Sequence, residues 1–246
     1  MSSLLNKNIV VTGGKGLLGS AFVKAVRAAE GRCIIADISC ENDLENDEVH
    51  LDITSEESVV GLLNLLGENS ISIDGWVNNA YPRTADWGVK FEDIPLASWQ
   101  KNIDMHLNGY FLCCQKVLEV MRKAGRGSLV NLGSIYGSLG PDFSVYEGTA
   151  MTMPGGYAAI KGGLINLTRY LAAYYGPHGI RVNTLSPGGI FDHQPEPFVK
   201  AYEKKVPLGR MGTPEDIAPV LTFLLSEDSR YISGQDIMVD GGWGIV

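Results

Sequence analysis

Short apolar runs alternate with amphipathic helical patterns along the whole chain. The runs are rich in Val, Ile and Leu and are apolar on both faces, which is typical of parallel strands covered on both sides. The predicted strands are residues 9–12, 33–37, 75–78, 128–132, 181–185 and 236–239. The predicted helices lie near residues 17–29, 55–66, 98–123, 157–175 and 214–226. This alternation predicts an α/β fold with a doubly wound parallel sheet, right-handed crossovers and helices on both faces.

Length and charge narrow the class of protein. The chain has 246 residues, so we expect one domain over residues 1–246, with a core that needs no disulfides or metals. Its net charge of −8 argues against nucleic acid as the main partner, because phosphate binding needs a basic surface. No apolar run reaches the roughly 18 residues of a membrane span, so we expect no membrane partner. Residues 1–8 are polar and lead directly into a strand, so we expect no signal peptide. Four cysteines without metal-ligand spacing predict reduced thiols in a cytoplasmic protein, with no metal site.

Two segments, residues 138–156 and 188–210, interrupt the strand and helix alternation. Both are rich in Gly, Pro and aromatic residues, and both follow predicted strands. Sheets of this type bind ligands beyond the carboxyl ends of their strands. We therefore interpret both segments as insertions that recognise a substrate. For residues 139–156 the alternative is a loop used for packing or subunit contact.

The first strand runs directly into a glycine-rich turn and then into a helix. The turn reads Gly13-Gly14-Lys15-Gly16-Leu17-Leu18-Gly19 and contains the spacing G-x-G-x-x-G from Gly14. Glycines allow a tight turn and a close approach to a pyrophosphate, and the helix N-terminus faces the negative charge. The position of the motif after the first strand predicts a dinucleotide site. The alternative is a glycine-rich turn with a purely structural role.

Acidic residues after the next strands indicate which dinucleotide is bound. Asp37 ends the second strand, where a carboxylate accepts hydrogen bonds from ribose hydroxyls and repels a 2′-phosphate. This favours NAD over NADP. Lys15 is a counter-signal, because a cation in the turn could meet that phosphate. Asp52 suits the adenine edge, or else supports the start of the helix near Ser55.

A tyrosine and a lysine with helical spacing suggest a reacting group. Tyr157 and Lys161 stand four residues apart, so they share one face of a helix. A nearby ammonium lowers the pKa of a phenol, which could then exchange a proton with an alcohol near neutral pH. Ser134 follows the strand 128–132, where its hydroxyl could bond a substrate oxygen. The alternative for the Tyr and Lys pair is an amphipathic surface pair.

These motifs, in this order, resemble the short-chain dehydrogenase/reductase family over essentially the whole chain. The resemblance includes the glycine-rich turn, Asp52, Asn78-Asn79-Ala80, Ser134, Tyr157 with Lys161, Asn183 to Gly188, and Val239-Asp240-Gly241-Gly242. It implies a Rossmann-like fold in which Tyr157 is the general acid/base and Ser134 orients the substrate oxygen. It also implies that Lys161 lowers the pKa of Tyr157 and holds the nicotinamide ribose. The complete predicted cofactor site is Gly13, Gly14, Lys15, Gly16, Leu17, Leu18, Gly19, Asp37, Asp52, Ile53, Asn79, Ala80, Tyr157, Lys161, Pro187, Gly188 and Ile190.

The chain departs from the family pattern at four places. Leu17 stands where the turn usually has its middle glycine, and Tyr81 replaces the glycine that ends the NNAG motif. His106 stands where the family has an Asn that holds a water in a proton relay. An imidazole could serve the same catalytic relay, and the alternative is a structural histidine. Ser134 and Tyr157 are also farther apart than is usual, and the extra length is the segment 139–156.

The proposed reaction is reversible hydride transfer between NAD and a secondary alcohol or ketone. Polar and aromatic residues near the expected pocket favour a hydroxylated ligand over a long acyl chain. The predicted substrate residues are Ser134, Tyr81, Arg83, Tyr136, Tyr146, Glu147 and His193. Arg83 could meet a phosphate or carboxylate, or could be an exposed arginine. Similarity to bacterial family members of surface-sugar biosynthesis, including legionaminic-acid-type sugars, makes a sugar or sugar derivative the leading substrate.

Three other functions stay open. One is an NADP-dependent 3-oxoacyl-carrier-protein or simple ketone reductase, and another is a sugar epimerase or dehydratase that keeps its NAD. The third is a regulator that binds the cofactor without catalysis. The family resemblance also implies a homotetramer, or a homodimer, in which the long helices 98–123 and 157–175 pair with their copies.

Overall fold

Seven parallel strands form one sheet in the order β3-β2-β1-β4-β5-β6-β7. The structure is a computed structural model and describes residues 2–246. The strands are β1 Asn8–Thr12, β2 Arg32–Asp37, β3 Glu48–His50, β4 Gly75–Asn78, β5 Gly127–Leu132, β6 Ile180–Pro187 and β7 Asp236–Val239. The order reverses between β1 and β4, so the carboxyl ends of these two strands flank a crevice where such sheets bind ligands.

Helices cover both faces of the sheet. They are α1 Leu17–Ala28, α2 Glu56–Glu68, α3 Leu96–Asn102, α4 Gly109–Ala124, α5 Gly155–Tyr175, α6 Glu196–Glu203 and α7 Pro214–Leu225. Alternate β1 residues face opposite layers: Val10 packs with α2, α4 and α5, while Ile9 and Val11 pack with α1 and α7. The predicted α/β class, with a Rossmann-like doubly wound sheet, is confirmed. Within residues 2–246, none of the helices combines the length and the apolar character that crossing a bilayer requires.

The structure differs from the predicted elements in three places. β3 was not predicted, because it has three residues with only Val49 buried and so gives no alternating pattern. The helix expected at 98–123 begins at Leu96 and is interrupted by a π-helical turn, Ile103–Asn108. The segment 188–210, in which no helix was predicted, contains α6.

A third hydrophobic cluster lies outside the two layers of the sheet. It joins Val145 from the first inserted segment, Phe198 and Tyr202 from α6, Met211, and Trp243 near the C-terminus. Two parts of the chain that are distant in sequence therefore pack on each other and on the C-terminal turn. This cluster has its own apolar interior, so it does not depend on the sheet for all of its packing.

Candidate active site

A cleft of about 800 Å³ lies at the carboxyl edge of the sheet. Its walls come from the segments that follow β1, β2, β4, β5 and β6, and from both inserted segments. Segments from opposite ends of the chain meet here because all the strands point in the same direction. Among the residues that the structure describes, no cluster of His, Cys, Asp and Glu could hold a metal ion.

The glycine-rich turn is pressed against the end of β4. Gly13 has φ +63°, and a Cβ at this position would lie 2.7 Å from the Cα of Ala80. The side chain of Asn79 donates hydrogen bonds to the backbone oxygens of Thr12 and Gly13, each at 3.0 Å. Asn79 therefore holds the turn, and both Asn79 and Ala80 line the cleft.

The start of α1 is open to a ligand. Its N-cap residue, Gly16, has no side chain to bond the first backbone N–H groups of the helix. By contrast, Ser55 caps α2 by accepting a hydrogen bond from the backbone N–H of Ser58. An anion is favoured at such an uncapped end. Gly13, Gly16, Leu17 and Leu18 line the cleft.

The other predicted residues of the turn support it from behind. Gly14 faces β2, since a Cβ there would lie 2.9 Å from Cγ2 of Ile35. A Cβ on Gly19 would collide with the carbonyl oxygen of Gly13. Gly14, Lys15 and Gly19 are not part of the cleft wall.

Asp37 is fixed at the end of β2. One carboxylate oxygen accepts from the backbone N–H of Lys15 at 3.1 Å, and the other accepts two bonds from Ser39. Partial burial acts to raise the pKa of Asp37, but the bonds from Ser39 and Lys15 outweigh it, and the pKa is lowered. The ammonium of Lys15 is bonded to Glu48 at 2.8 Å. Lys15 is thus already paired with a carboxylate.

Asp52 and Ile53 line the cleft beside Asp37. One Asp52 oxygen accepts hydrogen bonds from the backbone N–H and the hydroxyl of Thr54, at 2.8 and 2.7 Å. The backbone N–H of Asp52 donates to Ser58 in the first turn of α2. Asp52 therefore supports the start of α2 and also faces the cleft.

Ser134, Tyr157 and Lys161 meet in the middle of the cleft. Lys161 is buried, and its Nζ donates to the backbone oxygen of Leu132 at 2.6 Å. Burial lowers the pKa of Lys161 to about 7. Burial also raises the pKa of Tyr157, and a hydrogen bond with the Ser134 hydroxyl acts against that rise.

The pKa of Tyr157 differs from the sequence expectation. Lys161 was expected to lower it, but the net shift in this structure is upward. The physical reason is that the phenol is partly buried among aromatic rings and the lysine bonds a strand carbonyl, with its Nζ 5.6 Å from the centre of the Tyr157 ring. Desolvation favours the neutral form of both groups.

His106 lies beside Lys161 within the π-helical turn. Its Nε2 is 3.4 Å from the Nζ of Lys161, and its buried Nδ1 has no hydrogen-bond partner among residues 2–246. Burial, with a contribution from Lys161, holds the pKa of His106 well below its usual range. The imidazole is therefore neutral near pH 7. Asn108 instead bonds Asp104.

Aromatic rings surround Tyr157 at the substrate end of the cleft. The ring of Tyr81 lies edge-on to that of Tyr157, with 5.8 Å between centres. The Tyr81 hydroxyl accepts a hydrogen bond from Nε1 of Trp87 at 2.6 Å. Arg83 lies 4.9 Å above the Tyr81 ring and forms no ion pair with any side chain in residues 2–246.

The structure brings together most of the predicted substrate residues and leaves out two. Glu147 and His193 are exposed and lie outside the cleft wall, which corrects their predicted position. The predicted residues that do line this end are Ser134, Tyr81, Arg83, Tyr136 and Tyr146. Pro187, Gly188 and Ile190 line the wall after β6.

Sequence reasoning missed several residues at the substrate end. They are Met151, Met153, Phe198, Tyr202 and Met211. Phe198 and Tyr202 carry a usable signal, because their four-residue spacing places both on one face of α6. The methionines show no period, and only their position in the first inserted segment or after α6 could have suggested them.

Comparison with known proteins finds a family model, relatives and solved structures that are similar to this chain. A family model described as enoyl-(acyl carrier protein) reductase matches residues 18–244. The post-translational flagellin modification protein A of Campylobacter coli is 36% identical, and the match covers 98% of this chain and 100% of that protein. A 2,5-dichloro-2,5-cyclohexadiene-1,4-diol dehydrogenase of Sphingobium indicum is 31% identical, with 99% of both chains covered. A short chain dehydrogenase from Leptospira borgpetersenii, crystallised with bound NAD+, is 34% identical with a TM-score of 0.89, covering 99% of this chain and 94% of that chain.

The chain belongs to the short-chain dehydrogenase/reductase family. The family model is named for a reductase and two of these relatives are named as dehydrogenases, and the matches extend over essentially the whole length. The protein is therefore an oxidoreductase that acts on a small-molecule substrate with a nicotinamide cofactor.

Proposed function

We propose that this protein interconverts a secondary alcohol and a ketone on a sugar or sugar derivative, with NAD as the cofactor. The observation that carries the proposal is the convergence of Tyr157, Ser134 and Lys161 between the glycine-rich turn and a wall of aromatic rings. Alcohol oxidation requires a group that takes up a proton, a hydroxyl that binds the substrate oxygen and a site for the dinucleotide, all in one cleft.

The residues of the cofactor half fit NAD. The glycine backbone at Gly13 and the uncapped start of α1 would receive the pyrophosphate, and Asp37 would accept bonds from the ribose hydroxyls. Lys15 is bonded to Glu48, which supports NAD over NADP because the ammonium is not free for a 2′-phosphate. Pro187, Gly188 and Ile190 would hold the nicotinamide end. When bound, NAD supplies the hydride acceptor.

The protein groups handle the proton. In oxidation Tyr157 accepts the hydroxyl proton in its phenolate form, while Ser134 donates a hydrogen bond to the developing carbonyl oxygen. A protonated Lys161 favours the phenolate form of Tyr157 through its charge, and its pKa of about 7 lets it change protonation near neutral pH. In reduction the same groups act in the reverse order.

His106 adds a further proton-carrying group next to Lys161. Its neutral imidazole can accept a proton at one nitrogen and donate from the other, and Nε2 already lies 3.4 Å from Lys161. The buried, unbonded Nδ1 leaves a second position for a water in the relay. We therefore assign His106 the role that the family gives to Asn.

The shape and chemistry of the substrate half support a hydroxylated ring. Tyr81, Tyr146 and Phe198 offer flat apolar surfaces, and Ser134 offers a hydroxyl. Two relatives point in the same direction: one is named for flagellin modification, and the other for a ring diol. Arg83, free of any acidic partner in residues 2–246, would receive a carboxylate or phosphate on that substrate.

A turnover screen tests the proposal. Nicotinamide absorbance is followed with NAD(H) and NADP(H) over a panel of sugars, sugar acids, sugar phosphates, ring diols and 3-oxoacyl thioesters. The expected result is NAD-dependent turnover of a hydroxylated ring that Tyr157→Phe abolishes. Turnover of 3-oxoacyl thioesters with NADPH would instead establish the ketone-reductase function.

The surface of the long helices supports a homo-oligomer, a tetramer or a dimer. Phe111 on α4 and Tyr170 and Tyr174 on α5 are exposed, and the two tyrosine rings stack on each other. Large apolar side chains in this arrangement suit burial against a second copy. Sedimentation of the wild type and of Tyr170→Asp tests the assembly, and a monomeric wild type would refute it.

A further inference from the structure

Tyr202 of α6 contacts the backbone that follows β6. Its hydroxyl accepts a hydrogen bond from the backbone N–H of Gly189 at 2.5 Å, and the side chain is 2% exposed. Gly189 lies directly after Pro187 and Gly188, the residues that would hold the nicotinamide end of the cofactor. A side chain from an inserted segment is therefore bonded to the backbone of the cofactor site.

The close approach depends on two adjacent glycines. A Cβ on Gly189 would lie 2.6 Å from Cζ of Tyr202, and one on Gly188 would lie 3.2 Å from its hydroxyl oxygen. Neither glycine has a positive φ, so the backbone shape does not require them. Gly189 is required because the tyrosine ring occupies the space where its side chain would stand, whereas at Gly188 a Cβ would first meet the Cα of Asp240, at 2.8 Å, and then the tyrosine hydroxyl.

The hydroxyl of Tyr202 replaces a missing strand partner. On one side of Gly189, the Gly188 N–H donates to the Val239 oxygen of β7 at 2.9 Å. On the other side, the Phe191 N–H donates to the oxygen of Gly212, also at 2.9 Å. The Gly189 N–H lies between these two sets of backbone bonds and is satisfied by a side chain. Its position therefore depends on where α6 lies.

Tyr202 is itself held firmly. Its ring stacks on that of Trp243, with 4.3 Å between centres and 13° between planes. Trp243 belongs to the C-terminal turn, in which the carboxylate of Asp240 accepts from the backbone N–H groups of Gly242 and Gly244. The segment after β6 is thus held in two ways: by the sheet, and by the C-terminal turn, which fixes Tyr202.

We propose that Tyr202 is a positioning residue for the cofactor: through the Gly189 amide it sets the segment Pro187 to Ile190 against the nicotinamide end. The proposal rests on the NAD binding proposed above. Tyr202, Gly188 and Ile190 all line the cleft, and Phe198 of the same helix faces the substrate end. A movement of α6 when substrate binds would therefore be transmitted directly to the backbone beside the nicotinamide.

The test compares Tyr202→Phe with Tyr175→Phe, a tyrosine of α5 outside the cleft wall. NADH affinity is measured by fluorescence titration, and amide hydrogen exchange is measured in the cofactor-free protein. Because one buried hydrogen bond is lost, we expect Tyr202→Phe to raise the Kd for NADH about tenfold and to speed exchange at Gly189 about tenfold. We expect Tyr175→Phe to change neither the NADH affinity nor the exchange rate at Gly189. Once a turnover substrate is known, Tyr202→Phe should raise the KM for NADH while its kcat stays within about twofold of the wild type.

The outcomes separate this proposal from the proposed function. If the wild type does not bind NADH, the proposed function fails. If the wild type binds NADH, and Tyr202→Phe binds it equally well, the positioning role is refuted while NAD binding stands. Should Tyr202→Phe not fold, the wild type alone still decides: fast exchange at Gly189, equal to that of an exposed amide, would refute the hydrogen bond on which the proposal rests.

Discussion

The two halves of the cleft are built in different ways. The cofactor half is a backbone structure, in which the turn after β1 is bonded to the ends of the neighbouring strands through Asn79 and Asp37. Much of the substrate half consists of side chains from two inserted segments that pack on each other in a separate hydrophobic cluster. The first half is fixed by the sheet, while the second can change in sequence without disturbing it. One scaffold can thus keep a cofactor and change its substrate.

Contacts between the two inserted segments reinforce this division. The ammonium of Lys205 pairs with the carboxylate of Asp142, and the rings of Tyr146 and Phe198 lie 5.2 Å apart. These contacts join residues 138–156 to residues 188–210. The substrate half therefore forms one packed unit, linked to the cofactor half mainly through Tyr157 and Tyr202.

The largest effect is expected where the two halves meet. Tyr157→Phe removes the proton carrier and keeps the ring, so kcat should fall about a thousandfold. NADH affinity should stay within about twofold, because the cofactor half is unchanged. Steady-state kinetics and NADH titration of the same preparation measure both quantities. A variant that keeps a tenth of wild-type turnover would show that another group carries the proton.

The buried Lys161 should make stability depend on pH. Its pKa of about 7 lies below the ordinary value of 10.5, so between these values the unfolded chain binds a proton that the folded chain does not. Between pH 7 and 10 Lys161 should therefore contribute an increase in the unfolding free energy on the order of 3 kcal/mol, read as the difference between the wild type and Lys161→Met, because the buried thiols of Cys33 and Cys114 act in the opposite direction. Urea unfolding of the wild type, of Lys161→Met and of Lys101→Met as an exposed control measures the effect. If the unfolding free energy of Lys161→Met rose with pH as steeply as that of the wild type, the lowered pKa of Lys161 would be contradicted.

A pair of glycine variants tests how rigid each half is. Gly13→Ala should raise the Kd for NADH about thirtyfold, because the new Cβ meets the Ala80 backbone at a positive φ. Gly148→Ala is the matched control, since this glycine of the first inserted segment also has a positive φ but no atom near its Cβ position. It should reduce stability by about 1 kcal/mol and leave NADH binding unchanged. Equal NADH affinities in the two variants would contradict the claim that only the cofactor half controls NADH binding.

Replacing the carboxylate at the end of β2 should alter the choice of cofactor only. Asp37→Ser removes the charge that repels a 2′-phosphate, and the ratio of NADPH to NADH affinity should rise about tenfold. The substrate KM should stay the same with either cofactor. Titration with both nucleotides measures the ratio, and a ratio equal to that of the wild type would exclude Asp37 as the selector.

The smallest effect is expected at the ion pair between the inserted segments. Lys205→Met breaks the pair with Asp142, which is partly exposed, so stability should fall by only about 0.5 kcal/mol. Because the pair joins the two walls of the substrate half, the substrate KM should rise about twofold and NADH affinity should not change. Lys204→Met, next along the chain, is the control. If NADH affinity changed more than the substrate KM, the pair of Lys205 with Asp142 would belong to the cofactor half, contrary to this account.

The cofactor half could be predicted from sequence because its signals are local. The strand, the glycine-rich turn and α1 follow one another along the chain, and Asp37 ends the next strand. The pairing of Lys15 with Glu48 could not be predicted, because it depends on β3, whose three residues carry no pattern. The sequence thus predicted most of the residues that line this half of the cleft but not how the cation in the turn is neutralised.

The substrate half was predicted only in outline. The sequence located the inserted segments, but α6 and its contact with Trp243 join residues whose proximity arises from packing in three dimensions. Glu147 and His193 were expected in the pocket because of their chemistry, yet they are exposed and lie outside the cleft wall. The upward pKa shift of Tyr157 follows from burial, which a single sequence does not reveal, and no sequence pattern indicated the π-helical turn around His106.

The most direct test of the central claim is a titration of the wild-type protein with NADH and with NADPH at the same ionic strength. If Asp37 accepts the ribose hydroxyls and Lys15 is held by Glu48, NADH should bind at least about tenfold more tightly than NADPH. Equal or tighter binding of NADPH would contradict the proposed NAD dependence and would favour the ketone-reductase function.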